Sequence, residues 1–162
     1  MQTFLPYKDF ERVAQVLDNR RLNKQILECY QVLNVLSNDD PKAAWRNHPA
    51  VKMWRGHEFA LYNYVQKMII EAKNRGIKTD KNSDNIYQLR LRKGLTWGMG
   101  NPAWLSDKSV MKRITTTHKA NLFKKEPESY FQFEKAVNSK HNKPCCDRCQ
   151  YFWITHVRND ND

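Results

Sequence analysis

The sequence predicts an all-α fold: one compact domain of three main helices, with an irregular Cys- and aromatic-rich C-terminal tail. Three observations predict it. Apolar residues recur at three- and four-residue spacing over long stretches, while strand-type alternation never lasts more than a few residues. Helix boundaries are marked by capping residues, Pro and Gly. A chain of 162 residues with 40% apolar residues, five Gly and six Pro has the composition of a folded protein. It suits one domain that buries roughly two-thirds of its unfolded surface.

The first helical region begins near Tyr7 and carries Phe10, Val13 and Leu17 at helical spacing. Its phase breaks at Asp18-Asn19, where either side chain can accept a hydrogen bond from the free N–H groups of a new helix. Leu22, Ile26, Cys29, Leu33 and Leu36 continue the stripe as far as Ser37-Asn38-Asp39-Asp40-Pro41, a stop. A second helix opens at Pro49, whose missing N–H costs nothing in a first turn. Met53, His57, Ala60, Leu61, Tyr64, Val65 and Met68 form its inner face, and Gly76 is its left-handed C-cap. Residues 77–106 show no clear periodicity, and within them Trp97, Gly98, Met99, Gly100, Asn101, Pro102 and Trp104 read as an ordered loop held by its aromatics, the tryptophans being assigned, with Trp54, to the core. A third helix runs from just after Ser106-Asp107 to about Lys125, and Pro127 opens a short turn or helix carrying Tyr130, Phe131 and Phe133. Residues 1–140 thus form a helical body. Residues 141–162 form an extension of the same domain, ending in the polar stretch Asn159 to Asp162.

Charge narrows the function. Lys and Arg total 28 against 17 Asp and Glu, a formal net of +11, which favours a polyanionic partner, most often nucleic acid. Lys108, Lys112, Arg113, Lys119, Lys124 and Lys125 crowd one segment, and a second basic stretch spans Lys73 to Lys93. No apolar run approaches the ~20 residues of a membrane span. The opening MQTFLPYKDFER lacks the pattern of a secretory signal. The chain reads as a cytoplasmic monomer of a bacterial or phage-infected cell, with duplex DNA as partner and no membrane.

On the first long helix Arg20, Arg21, Lys24, Gln25 and Glu28 occupy the polar side, with Lys24 and Glu28 one turn apart. Taken alone they form a solvated ion pair. Set among cations that hold a phosphate backbone, the same carboxylate can stabilise cationic sugar character or move protons at an abasic carbon. Trp45, Arg46 and Asn47, with Arg55 further on, are DNA-contacting types, and His48 stands where it can cap a helix or touch a phosphate. His57 either orients a helix or belongs to the site. His118, Lys119, Asn121 and Tyr130 complete the candidate DNA-binding set.

Cys29 belongs to an apolar stripe and reads as a buried thiol. Cys145, Cys146 and Cys149 cluster, flanked by His141 and His156. Cys146-x2-Cys149 has metal-hairpin spacing, and one further Cys or His would complete a tetrahedral zinc site. Structural zinc and free thiols both remain open. A disulfide is disfavoured in a reducing compartment, and a catalytic zinc lacks an activating Glu.

Three segments, in order, carry a resemblance. Leu17 to Glu28 resembles the first long helix of phage endonuclease V, the pyrimidine-dimer glycosylase, with Glu28 in the place of the essential glutamate if one residue is inserted before Leu22. Pro49, Gly56-His57 and Tyr62 reproduce the family's Pro-x6-Gly-His-x4-Tyr pattern, and that helix again ends Arg75-Gly76. Thr117 to Leu122 and Pro127 to Tyr130 add a weaker third similarity. The chain is also similar to bacterial and phage proteins that open MQTFLP and carry Trp45-Arg46-Asn47-His48-Pro49-Ala50-Val51.

The resemblance implies an all-helical glycosylase that kinks duplex DNA, exposes a pyrimidine dimer and packs its N-terminal segment near the site. It implies attack on the sugar C1′ by the terminal α-amine, Schiff base formation and β-elimination, an abasic lyase step that needs no cofactor. An α-amine, with an ordinary pKa of ~7.7–8.0, has a substantial neutral fraction near pH 8. Here Gln2 is bulky, so Met1 is expected to persist. Either Met1 supplies the amine, or Glu28 activates water in a glycosylase-only reaction. The alternatives are a glycosylase for another modified base and a non-catalytic basic nucleic-acid-binding protein.

Overall fold

The computed structural model describes residues 1–156, whose regular elements are all helices, with no strand among them. The polar end Asn159 to Asp162 lies outside the described residues. The chain forms two compact units: Met1–Thr3 with Asp9–Pro102, and Phe4–Lys8 with the chain from Ala103 onward.

The first unit is built on α2 (Asn19–Leu36) and α4 (Glu58–Asn74), with α1 (Phe10–Val16), α3 (Pro49–Trp54) and α5 (Asp80–Lys93) packed around them. Helix α1 stops where the phase breaks, and Asp18 caps α2 by accepting from the Arg21 N–H. Leu22, Ile26, Cys29, Val32 and Leu33 are buried along α2 and Leu61, Tyr64, Val65 and Met68 along α4, and the two helices pack together. Burying a side chain of this size is worth about 1.5–3 kcal/mol, so this interface outweighs any surface ion pair.

The single helix expected from Pro49 to Gly76 is two. Gly56, at φ +77°, breaks it, because a left-handed residue cannot continue a right-handed helix. Gly76, at φ +69°, ends α4 as expected. The residue before it, Arg75, draws the chain together. Its guanidinium donates to the carbonyls of Ala14, Gln15 and Leu17, the last groups of α1, and to Asn19 Oδ1, while Nε donates to Glu71. A positive fork at the carbonyl end of a helix satisfies unpaired acceptors and opposes the helix dipole.

Residues 77–106, which show no clear periodicity in the sequence, contain the fourteen-residue helix α5. It buries only Ile86 and Leu89, and its N-cap Thr79 makes no side-chain capping hydrogen bond. Trp54, Trp97 and Trp104 are core residues, as expected.

The second unit is organised by α7 (Lys108–Lys125), with α6 (Ala103–Ser106) and α8 (Glu134–Val137) against it. Asp107 caps α7 by accepting from the N–H groups of Ser109 and Val110. Tyr151, Phe152 and Trp153 of the tail are buried. Asn121 Nδ2 donates to the Gln150 carbonyl, and the Phe152 N–H donates to Thr117 Oγ1.

Candidate active site and nucleic-acid surface

Glu28 stands on α2 with a side chain only 13% exposed, and its nearest cation is Lys24 Nζ at 3.8 Å. Its charge reaches the buried Tyr64 hydroxyl and Cys29 thiol. Both are pushed upward in pKa, first by burial, with Glu28 a smaller contribution to each.

One turn before it, Gln25 does not lie on the polar side where helical counting put it. It is buried, because residues 22, 25, 29 and 32 share the inner stripe. Gln25 Nε2 donates to the Gln2 carbonyl at 2.6 Å and lies 3.7 Å from Cys29 Sγ. Thr3 is fully buried, and its hydroxyl accepts from Trp54 Nε1 at 3.0 Å. Two buried side chains thus fix residues 2 and 3 against α2 and α3, leaving Met1 partly exposed.

Of the remaining cations on α2, Arg20 and Lys24 are exposed, while Arg21 is held by Asp18 at 2.7 Å. The segment 45–48 leads into α3. Trp45 is 63% exposed and adopts φ +69°, a strained conformation for a bulky side chain. Asn47 is exposed, Arg46 donates to the Asn38 carbonyl, and Arg55 donates to the Arg46 carbonyl. His48 is the cap of α3, its Nδ1 accepting from the Ala50 N–H.

His57 corrects its reading as an inner-face residue. It is the partly exposed N-cap of α4, and its Nδ1 lies 2.8 Å from the Gly100 carbonyl. The neighbouring Glu58, which sequence reasoning passed over, is buried and accepts from the N–H groups of Gly56 and Gly98. The Gly-His pair therefore fastens the start of α4 to the loop at 98–100. The signal was present in two of only five glycines in the chain.

Three candidate DNA contacts in the second unit are enclosed. His118 is 1% exposed, and its Nδ1 accepts from the Leu5 N–H at 2.9 Å. Burial, and secondarily Lys125, lowers its pKa to about 3. Asn121 is spent on the backbone of Thr117 and Gln150. Tyr130 is fully buried, stacked on Phe133. These three support the fold, since a side chain without exposure offers nothing to a phosphate. Lys119 is partly exposed, its Nζ 4.5 Å from the Tyr7 ring centre.

In the tail, ligand atoms of Cys145, Cys146, Cys149 and His156 all lie within 4.8 Å of one another. His141 does not belong to this cluster, which corrects its candidacy as a ligand.

A family model, the pyrimidine dimer DNA glycosylase model, matches residues 1–85, more than half the chain. The chain belongs to this family. Comparison with curated proteins and with solved structures finds no match. The family match covers α1 to α4, and hence the residue 1–3 anchor, Glu28, Trp45 and the Pro49 to Tyr62 motif. The Cys-rich tail lies beyond it. No helix among the described residues is long and apolar enough to cross a membrane.

Proposed function

We propose that the chain excises cyclobutane pyrimidine dimers from duplex DNA, using Glu28 and the terminal amine at one deoxyribose. The observation that carries this reading is the Gln2–Gln25 hydrogen bond, which tethers the start of the chain one helical turn from Glu28, within the span of the family match. The amine lone pair forms a bond to C1′ as the bond to the pyrimidine breaks, the base leaving with the electron pair. Sugar ring opening yields an iminium. Loss of a C2′ proton then expels the 3′ phosphate and cuts the strand. Glu28 stabilises positive charge on the sugar and relays the protons. Arg20 and Lys24 meet phosphates, while Trp45, presented on strained backbone beside Arg46 and Asn47, stacks on an exposed base.

The test is UV-irradiated duplex DNA incubated with the protein and borohydride. The expected product is a covalent adduct mapped to the Met1 peptide and lost when that amine is blocked. Glu28→Gln lowers dimer excision by about 10²-fold or more. Base release without an adduct would transfer the first step to water activated by Glu28. No base release, with equal affinity for damaged and intact duplex, would end the enzymatic reading and leave a non-catalytic binder.

A further inference from the structure

We propose that Cys145, Cys146, Cys149 and His156 hold a zinc ion in a structural tetrahedral site that fastens the tail to α7. The inference is independent of the glycosylase reading. The Cys149 N–H donates to the Cys146 carbonyl at 3.0 Å, closing a turn over Asp147-Arg148 that brings the two sulfurs to 3.0 Å. Cys145 precedes this turn, with its sulfur 3.2 Å from His156 Nδ1. Cys149 Sγ lies 3.5 Å from the same nitrogen. His156 reaches the group from a short 3-10 turn, Ile154–His156.

Zinc bonds of about 2.3 Å to sulfur and 2.0 Å to nitrogen require ligand separations of roughly 3.5–3.8 Å around a tetrahedron. The four donors need only small movements to reach them. A Cys146–Cys149 disulfide would use two sulfurs and leave Cys145 and His156 converging on nothing. Three sulfurs and one imidazole suit zinc among the divalent ions, and a full set of four protein ligands marks a structural site. Binding replaces three thiol protons, released to solvent, and uses the Nδ1 lone pair with the imidazole proton on Nε2. Three thiolates on a dication leave a net charge of −1, set in a segment that carries Lys140, Lys143 and Arg148.

The site fixes both ends of the segment that crosses α7. Between Cys149 and His156, Gln150 bonds to Asn121, Phe152 bonds to Thr117, and the Arg113 guanidinium sits 3.9 Å over the Phe152 ring. Tyr151 packs against Phe4 and against His118, which holds the Leu5 N–H. Zinc thereby secures the segment that leads from the terminus.

Metal analysis and native mass spectrometry of the full chain, purified without chelator, should give one zinc per chain. Cobalt exchange should produce the intense visible bands of a tetrahedral thiolate site. Cys146→Ser and His156→Ala should lose the metal, whereas His141→Ala should retain it. Chelation should speed hydrogen exchange at the Leu5 amide. Should these variants fail to fold, thiol modification of the wild-type chain must still release one equivalent of zinc. A metal-free protein that does not take up added zinc, an intact mass two hydrogens light, or a pale octahedral cobalt spectrum would overturn the proposal.

Discussion

His118 shows how a single residue trades chemistry for structure. Its Nδ1 accepts from the Leu5 N–H, so the ring is neutral with its proton on Nε2. Burial, with Lys125 adding a smaller repulsion, lowers its pKa from 6.5 to about 3. The unfolded chain therefore binds a proton that the folded chain refuses. Stability is full above pH 6.5 and declines as pH falls toward 3, by at most about 1.4 kcal/mol per pH unit. Unfolding free energies measured between pH 7 and 4.5 should show this slope, and His118→Gln should reduce it. A ring that titrates near pH 6.5 by NMR in the native protein would refute it. Neither the burial nor the Leu5 contact is visible in the local sequence, since 113 residues separate the partners. Tyr130 and Asn121 misled for the same reason: polar atoms near a run of lysines look outward until their partners are known.

The start of α4 depends on the close approach of two backbones, at Gly56 and Gly98. A Cβ built on Gly98 would lie 1.9 Å from the Gly56 carbonyl oxygen. Glu58 ties the same two residues together through their N–H groups, so neither backbone can yield freely. Gly98→Ala should destabilise the protein by about 1–3 kcal/mol, read as a lower urea midpoint. An unchanged midpoint would show that the loop moves away at no cost. Capping residues made the other element ends legible: Asp18, Ser37, Asp107 and Gly76 all lie where helices start or stop. Helix α5 was not legible, because it opens without a side-chain cap and buries only Ile86 and Leu89.

For the molecule as a whole, the net charge of +11 governs association. Each phosphate neutralised by Lys or Arg releases counterions, so affinity for duplex DNA should fall with salt on a log–log slope of about −4 or steeper. A slope near zero in a fluorescence anisotropy titration would remove the polyanion from the list of partners. Composition, spacing and capping determined the all-α class and the cationic character, and the ordered motifs carried the resemblance to the family, because each is written in residue identities and local periods. Tertiary structure alone decided that Gln25 turns inward to hold Gln2, that His118 and Tyr130 are enclosed, and that His156 rather than His141 joins the cysteines. A helical period says which residues share a face. Only packing brings distant segments together to decide what that face meets.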